Sequence, residues 1–327
     1  MSRYARALAF VCALCTAFWL QAAPDASAQD YPTRTIRVVV PYPAGDLADV
    51  IARLLINDIS KQLGQPVFVE NRPGASGLVG LQTVVQSEAD GYTIALAQMG
   101  SLAVASNVNR WPFKVLDAFE PIGIAYTNYM MLVTAPELPV KTLPELIEYA
   151  KKTPGGVRAA TNGVGGFPHL AIELLRKQAG LEYSHIPYRG SSPVLADLMT
   201  GRVDVTVFGY TGLHPYVSDG RLKGIAVTGA QRAPNSPDIP TIGETVKDYE
   251  ALGWFGFFAP KGTPAAVIAK LNAAVNRAAA LPEIEQQARR QGLDRLTGTP
   301  ADLGRILKTD YEKWGGIIRG LDLEANK

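Results

Sequence analysis

Apolar and polar positions near the start of the chain predict a strand followed by a helix. The β-branched run Ile36–Val40 carries a single charge, which is typical of a buried strand. Two prolines and a glycine interrupt this run within Pro41–Asp46. Apolar residues then recur mostly at three- and four-residue steps over Leu47–Ile59, which indicates one face of an amphipathic helix. A helix that starts directly after such a loop has free backbone N–H groups, and these can bind an anion without a basic side chain.

The alternation of strands and helices continues along the chain and predicts an α/β fold with a mostly parallel sheet. The predicted strands are Pro66–Glu70, Tyr92–Ala97, Val157–Thr161, Tyr183–Pro187, Val203–Phe208, Leu222–Thr228 and Gly253–Pro260. The predicted helices are Leu78–Ser87, a helix capped by Thr142, Leu170–Ala179, Val194–Thr200 and Pro264–Leu281. These units form two similar halves, and helices late in the chain return to the first half.

Loops at the carboxyl ends of the strands are the candidate binding loops, because ligands of open parallel sheets bind there. Each of them contains glycine, which allows the backbone to approach a ligand closely. They are Tyr42–Asp49, Gln98–Ser101, Thr161–His169 and Phe208–Leu213. For the first loop the alternative is an ordinary strand-to-helix turn without a ligand.

The first residues have the layout of a secretory signal peptide. Arg3 and Arg6 precede the apolar run Ala7–Leu20, and the small residues Ala26–Ala28 follow. The apolar run is too short for a stable membrane-spanning helix, although a retained N-terminal anchor is the alternative. We therefore expect residues 1–28 to be removed and the protein to be periplasmic. Both cysteines lie within this segment, so the exported chain would contain neither a disulfide nor a thiol nucleophile.

Composition excludes several classes of partner. The formal net charge of +2 gives no electrostatic footprint for nucleic acid or for an anionic membrane surface. With 47% hydrophobic and 19% charged residues, the 327-residue chain has the composition of an ordered globular protein and the length of two domains.

The residues offer no visible catalytic apparatus. His169, His185 and His214 are not spaced as metal ligands, and no Gly-x-Ser-x-Gly elbow is present. Gly163–Gly166 resembles a dinucleotide-binding loop but lacks its full glycine spacing. We therefore expect a protein that is not an enzyme and that carries no cofactor and no metal.

Short motifs in a fixed order match one known family over essentially the whole exported chain. They are Val39–Gly45 with Asp49, Glu70–Ala75, Asp90–Thr93, Pro187–Gly190, Ala226–Thr228 and Ala259–Pro264. The chain resembles the Bug-type extracytoplasmic solute receptors, which are the substrate-binding proteins of tripartite tricarboxylate transporters. The resemblance implies a type II periplasmic binding protein, with two α/β lobes joined by two crossing strands. It places the ligand in the cleft, where backbone amides and bridging waters of both lobes hold a carboxylate.

The resemblance also implies a domain division and a set of partners. Residues 29–128 and 254–327 would form lobe 1, and residues 129–253 would form lobe 2. The protein would be a monomer that delivers a small organic carboxylate to a tripartite membrane permease. Two alternatives are a ligand sensor that presents its closed form to a membrane signalling protein, and a receptor for a neutral, amide or amino-acid-like ligand.

The expected site residues follow from the same resemblance and from the aromatic residues near the cleft. Phe167 and Tyr210 are the preferred aromatic candidates because they lie in turn-rich segments. Core packing is the alternative for most of the others, which include Tyr126, Tyr188 and Trp254. The complete expected set is Tyr42, Pro43, Ala44, Gly45, Asp46, Ala48, Asp49, Gln98, Gly100, Ser101, Thr161, Gly165, Gly166, Phe167, His169, Phe208 and Tyr210.

The sequence departs from the family pattern at positions expected to meet the ligand. Asp46 replaces a second glycine, and Ala48 and Gly166 replace hydroxyl residues, while the aspartate that is frequent in the family near Gly209 is not found at that glycine. An Asp46 carboxylate would repel a bound carboxylate unless it points to solvent or is protonated, and its alternative role is to cap the following helix. We therefore expect a dicarboxylate or an aromatic carboxylate rather than citrate.

Overall fold

A computed structural model describes residues 31–321, so the predicted signal peptide lies outside the described residues. The strands are β1 Ile36–Val40, β2 Val67–Asn71, β3 Thr93–Gln98, β4 Phe119–Thr134, β5 Val157–Thr161, β6 Tyr183–Pro187, β7 Val205–Gly209, β8 Lys223–Val227, β9 Leu252–Pro260 and β10 Leu293–Arg295. The longer helices are α1 Leu47–Leu63, α2 Leu78–Val85, α3 Leu143–Lys152, α4 Phe167–Ala179, α5 Ser191–Met199, α6 Tyr210–Ser218, α7 Ala265–Ala279, α8 Pro282–Arg290 and α9 Pro300–Gly320.

The main run of strands follows the order β2-β1-β3-β9-β4-β7-β5-β6, and β8 and β10 pair with β4. The pairs of β1 with β2 and β3, and of β5 with β6 and β7, are parallel as predicted. The central strands β4 and β9 run antiparallel to each other, from Phe119 opposite Pro260 to Tyr129 opposite Leu252. From Met130 onward, β4 pairs instead with β7, and from Met131 with β8. One continuous strand therefore passes from a first group of strands (β1, β2, β3, β9 and β10) to a second group (β5, β6, β7 and β8).

Local chemistry explains where the helices begin and end. The side chain of Thr142 accepts a hydrogen bond from the Glu145 amide and caps α3, as its sequence predicts. Gly64 ends α1 in the left-handed conformation, with φ of 70°, and its amide bonds to the Ser60 carbonyl. Helix α4 begins at Phe167 rather than at the predicted Leu170, because Pro168 is well suited to a first helical turn.

The elements bury three apolar clusters. In the first group of strands, helices α1 and α7 pack on one face of the sheet through residues such as Leu55 and Leu271. Phe257 on β9 belongs to this cluster and is fully buried. Burying aromatic side chains of this size is the main source of stability in such a core.

One predicted connection is wrong. The segment predicted as the loop Phe208–Leu213 contains the end of β7 and the beginning of α6, which starts at Tyr210. The helix forms despite Gly212 and Pro215, because tertiary packing buries Tyr210 and Leu213. Among residues 31–321, no helix has both the length and the apolar character that crossing a membrane requires.

We predict that Phe257→Ala lowers the free energy of unfolding by about 3–5 kcal/mol, because it leaves a cavity in a closed core. Chemical denaturation followed by far-UV circular dichroism measures this change. The matched control is Phe68→Ala, because the Phe68 side chain on β2 is 46% exposed and should cost less than about 1 kcal/mol. Equal losses in both variants would contradict this assignment of the core.

Candidate functional site

A cavity of about 490 Å³ lies beyond the carboxyl ends of β1, β3 and β5, where the fold predicts a ligand site. Its volume lies within the range typical of small-molecule sites. None of its lining residues is charged. They are Tyr42, Ser76, Gln98, Gly100, Ser101, Val104, Ala105, Val108, Asn109, Asn162, Val164, Gly165, Gly166 and Phe167.

The N-terminus of α4 forms one wall of this cavity. Gly166 occupies the N-cap position, and no side chain caps the helix there. The first-turn N–H groups of an α-helix have no partners inside the helix, and the helix dipole makes this end positive. Gly165, Gly166 and Phe167 all line the cavity, so the uncapped end of α4 faces the space that a ligand would occupy. An anionic group is the chemical partner that suits such an end.

His169 holds the loop before α4 in place. Its Nδ1 accepts a hydrogen bond from the Gly165 amide at 3.0 Å, so this amide is already used within the protein. The ring stacks on His185, with centroids 3.9 Å apart, and His185 Nε2 lies 2.7 Å from the Thr161 hydroxyl. Thr161 and His169 are buried and do not line the cavity. They support the loop from behind.

Burial also determines the protonation of this histidine pair. Burial first and the neighbouring His185 second lower the pKa of His169 to about 4, although Glu173 opposes the shift. Burial lowers the pKa of His185 as well. A neutral His169 keeps Nδ1 free to accept from Gly165, whereas protonation would replace this acceptor with a donor.

The N-terminus of α1 is arranged differently, because its own side chains satisfy it. The Asp46 carboxylate accepts from the Ala48 amide at 2.9 Å and caps the helix. The Gly45 amide donates to Asp49 at 2.9 Å, and the Asp46 amide donates to the Pro43 carbonyl. The capping role considered for Asp46 is therefore present. Burial raises the pKa of Asp46, the bond from Ala48 opposes this, and neighbouring Asp49 adds to it.

Asp49 is a structural tie between α1 and β2. It is 3% exposed, and it accepts hydrogen bonds from Arg53 and from the Asn71 side chain. Asn71 also donates to the Tyr42 carbonyl at 3.1 Å. Burial alone would raise the pKa of Asp49, but the bonds from Arg53, Gly45 and Asn71 outweigh it and lower the pKa. Asp49 therefore fixes the loop that presents Tyr42 to the cavity.

Tyr42 and Ser101 connect the loop after β1 to a π-helical segment, Gly100–Ala105, which lies where the sequence predicted the loop Gln98–Ser101. The Tyr42 hydroxyl is hydrogen-bonded to the Ser101 hydroxyl, which also donates to the Gln98 carbonyl at 3.1 Å. Burial of the Tyr42 hydroxyl raises its pKa, so it stays protonated and can donate. This pair places hydroxyl groups in the uncharged lining of the cavity.

The structure divides the expected site residues into two sets. Those that line the cavity are Tyr42, Gln98, Gly100, Ser101, Gly165, Gly166 and Phe167. Those that do not line it are Pro43, Ala44, Gly45, Asp46, Ala48, Asp49, Thr161, His169, Phe208 and Tyr210. Pro43, Ala44 and Gly45 are exposed outside it, whereas Ala48, Phe208 and Tyr210 are buried. Tyr210 packs edge-on against Tyr129, and its hydroxyl is 2.7 Å from that of Ser236.

The expected set omitted seven lining residues, five of them from segments outside the predicted loops and two, Asn162 and Val164, from within the predicted loop Thr161–His169. The seven are Ser76, Val104, Ala105, Val108, Asn109, Asn162 and Val164. Ala75 and Ser76 adopt left-handed backbone angles, with φ of 46° and 54°, and no sequence pattern indicates this. Asn162 could have been found, because it directly follows β5 within a predicted loop. Within residues 31–321, no group of three or more potential metal ligands is close enough to hold a metal ion.

We predict that His169→Gln flattens the pH dependence of stability. The pKa of His169 is near 6.5 in the unfolded chain and about 4 in the folded protein. The folded state is therefore destabilised relative to the unfolded state as the pH falls from about 6.5 to about 4. Removing this group should reduce the slope of unfolding free energy against pH by up to about 1.4 kcal/mol per pH unit between those values.

Denaturant titrations at several pH values measure this slope. His214→Gln is the matched control, because His214 contacts Tyr210 and Ser218 rather than the loop before α4. An unchanged slope in His169→Gln would contradict the proposed neutral state of His169.

Comparison with known proteins gives the same architecture and one family. Residues 51–323 match the model of the tripartite tricarboxylate transporter family receptor. Protein BugT of Bordetella pertussis is 35% identical over 300 residues, which cover 91% of this chain and 92% of that protein. Such coverage includes both groups of strands.

Two solved structures are similar along almost their whole length. A TctC solute-binding protein from Polaromonas, solved without ligand, aligns with a TM-score of 0.81 and 29% identity, covering 89% of this chain and 99% of that one. The R. palustris protein Rpa4515, solved with adipate, aligns with a TM-score of 0.72 and 32% identity, covering 89% and 98%. The expected periplasmic binding protein fold and the resemblance to Bug-type receptors are confirmed. The chain belongs to the tripartite tricarboxylate transporter receptor family, a family of periplasmic solute-binding proteins rather than of enzymes.

Proposed function

We propose that this protein captures a small organic carboxylate in the 490 Å³ cavity and delivers it to a tripartite membrane permease. The observation that carries the proposal is the uncapped N-terminus of α4 in the wall of a cavity without charged lining residues. Amides at such an end can receive a carboxylate, and no neighbouring carboxylate in the lining competes for them. The proposed location is the periplasm, after removal of residues 1–28.

The proposed mechanism is closure of two lobes around the ligand. Lobe 1 would comprise residues 29–128 and 254–327, and lobe 2 residues 129–253, with β4 and β9 as the connecting strands. Tyr42 and Ser101 would then lie on lobe 1, and Asn162–Phe167 on lobe 2. A ligand that contacts both sets stabilises the closed arrangement by its differential affinity for it.

We infer that the ligand is a dicarboxylate or an aromatic carboxylate. Phe167 lines the cavity, and Val164 beside it is 57% exposed, so an apolar ligand body has partners on the α4 side. Asp46 has no basic partner within residues 31–321, and its charge disfavours a further ligand carboxylate near Tyr42. The adipate found in the relative Rpa4515 is consistent with a ligand of this class.

A thermal-shift screen of the exported chain tests the proposal. The panel contains mono-, di- and tricarboxylates, aromatic acids, neutral amides and amino acids. A ligand that binds only the folded state adds about 2.7 kcal/mol of stability at one hundred times its dissociation constant. We expect melting temperatures to rise with dicarboxylates or aromatic acids. Shifts only with neutral or cationic compounds, or no shift with any compound, would refute carboxylate capture.

We predict that Asp46→Asn increases affinity for dicarboxylates and citrate by about three- to tenfold. The substitution removes a nearby negative charge, whose repulsion of a bound carboxylate is about 1 kcal/mol. Asparagine keeps the capping oxygen, so α1 should remain intact. Isothermal titration calorimetry measures the change. The matched control is Asp58→Asn, which removes the same charge about three turns further along α1. An equal effect of both variants, or none from Asp46→Asn, would contradict the role given to Asp46.

A further inference from the structure

A second and larger cavity of about 1030 Å³ adjoins the first one. The two cavities share Ser76, Val108 and Asn109 as lining residues, so they are neighbours along one wall. The lining of the second cavity also includes Asn107, Arg110, Trp111, Phe113, Lys114 and Tyr311. Asn109 therefore borders both cavities.

The second cavity differs from the first in its charge. Arg110 and Lys114 line it, whereas no aspartate or glutamate does. Both side chains are exposed, and neither forms an ion pair or a side-chain hydrogen bond within the part of the chain that the structure describes. Glu120 is paired with Lys261 at 2.9 Å, and the exposed Asp117, three residues after Lys114, does not line the cavity. Two cations without an ion-pair partner make the potential in the second cavity more positive.

The segment that carries these cations is anchored to the core. Asn107 donates to the carbonyls of Ala103 and Tyr311, which ties it to α9. The Trp111 ring packs on Phe113 with centroids 5.5 Å apart, and Phe113 packs edge-on against buried Phe119 at 5.9 Å. The basic side chains therefore project from a fixed backbone rather than from a free loop.

We propose that Arg110 and Lys114 form a subsite for the distal anionic group of an elongated dicarboxylate. This inference rests on the proposed function, because it requires the proximal carboxylate to bind at the N-terminus of α4. The charge pattern then orients the ligand, since Asp46 makes the region near Tyr42 unfavourable and the two cations make the Asn109 end favourable. The subsite selects chain length as well as charge, because only a long ligand reaches past Asn109.

Calorimetric titrations with α,ω-dicarboxylates of increasing length, each paired with its ω-monoamide, test the subsite. The monoamide keeps the length and the proximal carboxylate but removes the distal charge. For the longer members we expect the dicarboxylate to bind at least about fivefold more tightly than its monoamide at low salt, and this ratio to fall as salt screens the exposed cations. In the double variant Arg110→Gln/Lys114→Gln the ratio should approach one, while affinity for the monoamide stays unchanged.

The matched control is Lys151→Gln/Lys152→Gln, which removes two exposed cations from α3 and should retain the preference for the dicarboxylate. Circular dichroism and melting temperature verify that both double variants fold. Acids that bind without any preference for the distal charge, or a preference that survives Arg110→Gln/Lys114→Gln, would overturn the subsite alone. Absence of binding by every acid to the unaltered protein would overturn the proposed function and the subsite together.

Discussion

The antiparallel pairing of β4 with β9 is the contact on which the rest of the structure depends. The 16-residue β4 bonds to β9 along its first part and to β7 and β8 along its last part. Both groups of strands are thereby attached to one continuous backbone, and the loops that line the cavity keep a defined relation to it. Tyr42 and Ser101 come from the first group, and Gly165–Phe167 come from the second. Without this shared strand the cavity walls would belong to separate units.

The N-termini of α1 and α4 differ in whether a side chain caps them. At α1, Asp46 caps the helix, and the buried Asp49 binds the Gly45 amide and Asn71. At α4, the cap is Gly166, which has no side chain to offer. At α1, side chains of the protein therefore accept hydrogen bonds from backbone N–H groups of the helix end. At α4, these N–H groups are left to bond to solvent or to a ligand. This asymmetry gives a neutral cavity one positive end.

Charged side chains near the two cavities add to this difference between their ends. Asp46 lies near Tyr42, whereas Arg110 and Lys114 lie in the adjoining cavity beyond Asn109. A ligand with separated anionic groups would lower the total electrostatic energy most when it extends away from Asp46. In the proposed subsite, length and charge would be recognised by different parts of the protein, with amides at the proximal end and exposed cations at the distal end.

Local features of the fold could be predicted from the sequence because they depend on neighbouring residues. The period of apolar residues located β1 and α1, Thr142 identified the start of α3, and the bounds of β5 and β6 were predicted correctly. The family was also recognisable, since its motifs lie along the whole chain. The loop expected at Phe208–Leu213 failed because burial of Tyr210 and Leu213 stabilises a helix that its glycine and proline disfavour.

Hydrogen-bond partners at the site required the tertiary structure, because they come from distant positions or from unusual backbone angles. The sequence placed Gly165 in a binding loop, but only the fold shows that its amide is bonded to His169, whose ring stacks on His185. Likewise, Ser76 joins the cavity through a left-handed turn, and Asn109 follows two residues after Asn107, whose side chain donates to the Tyr311 carbonyl of α9. The sequence alone therefore determined the elements, the family and a set of candidate loops. Tertiary packing decided which amides stay free, because each amide bonds to whichever acceptor the folded chain brings within reach.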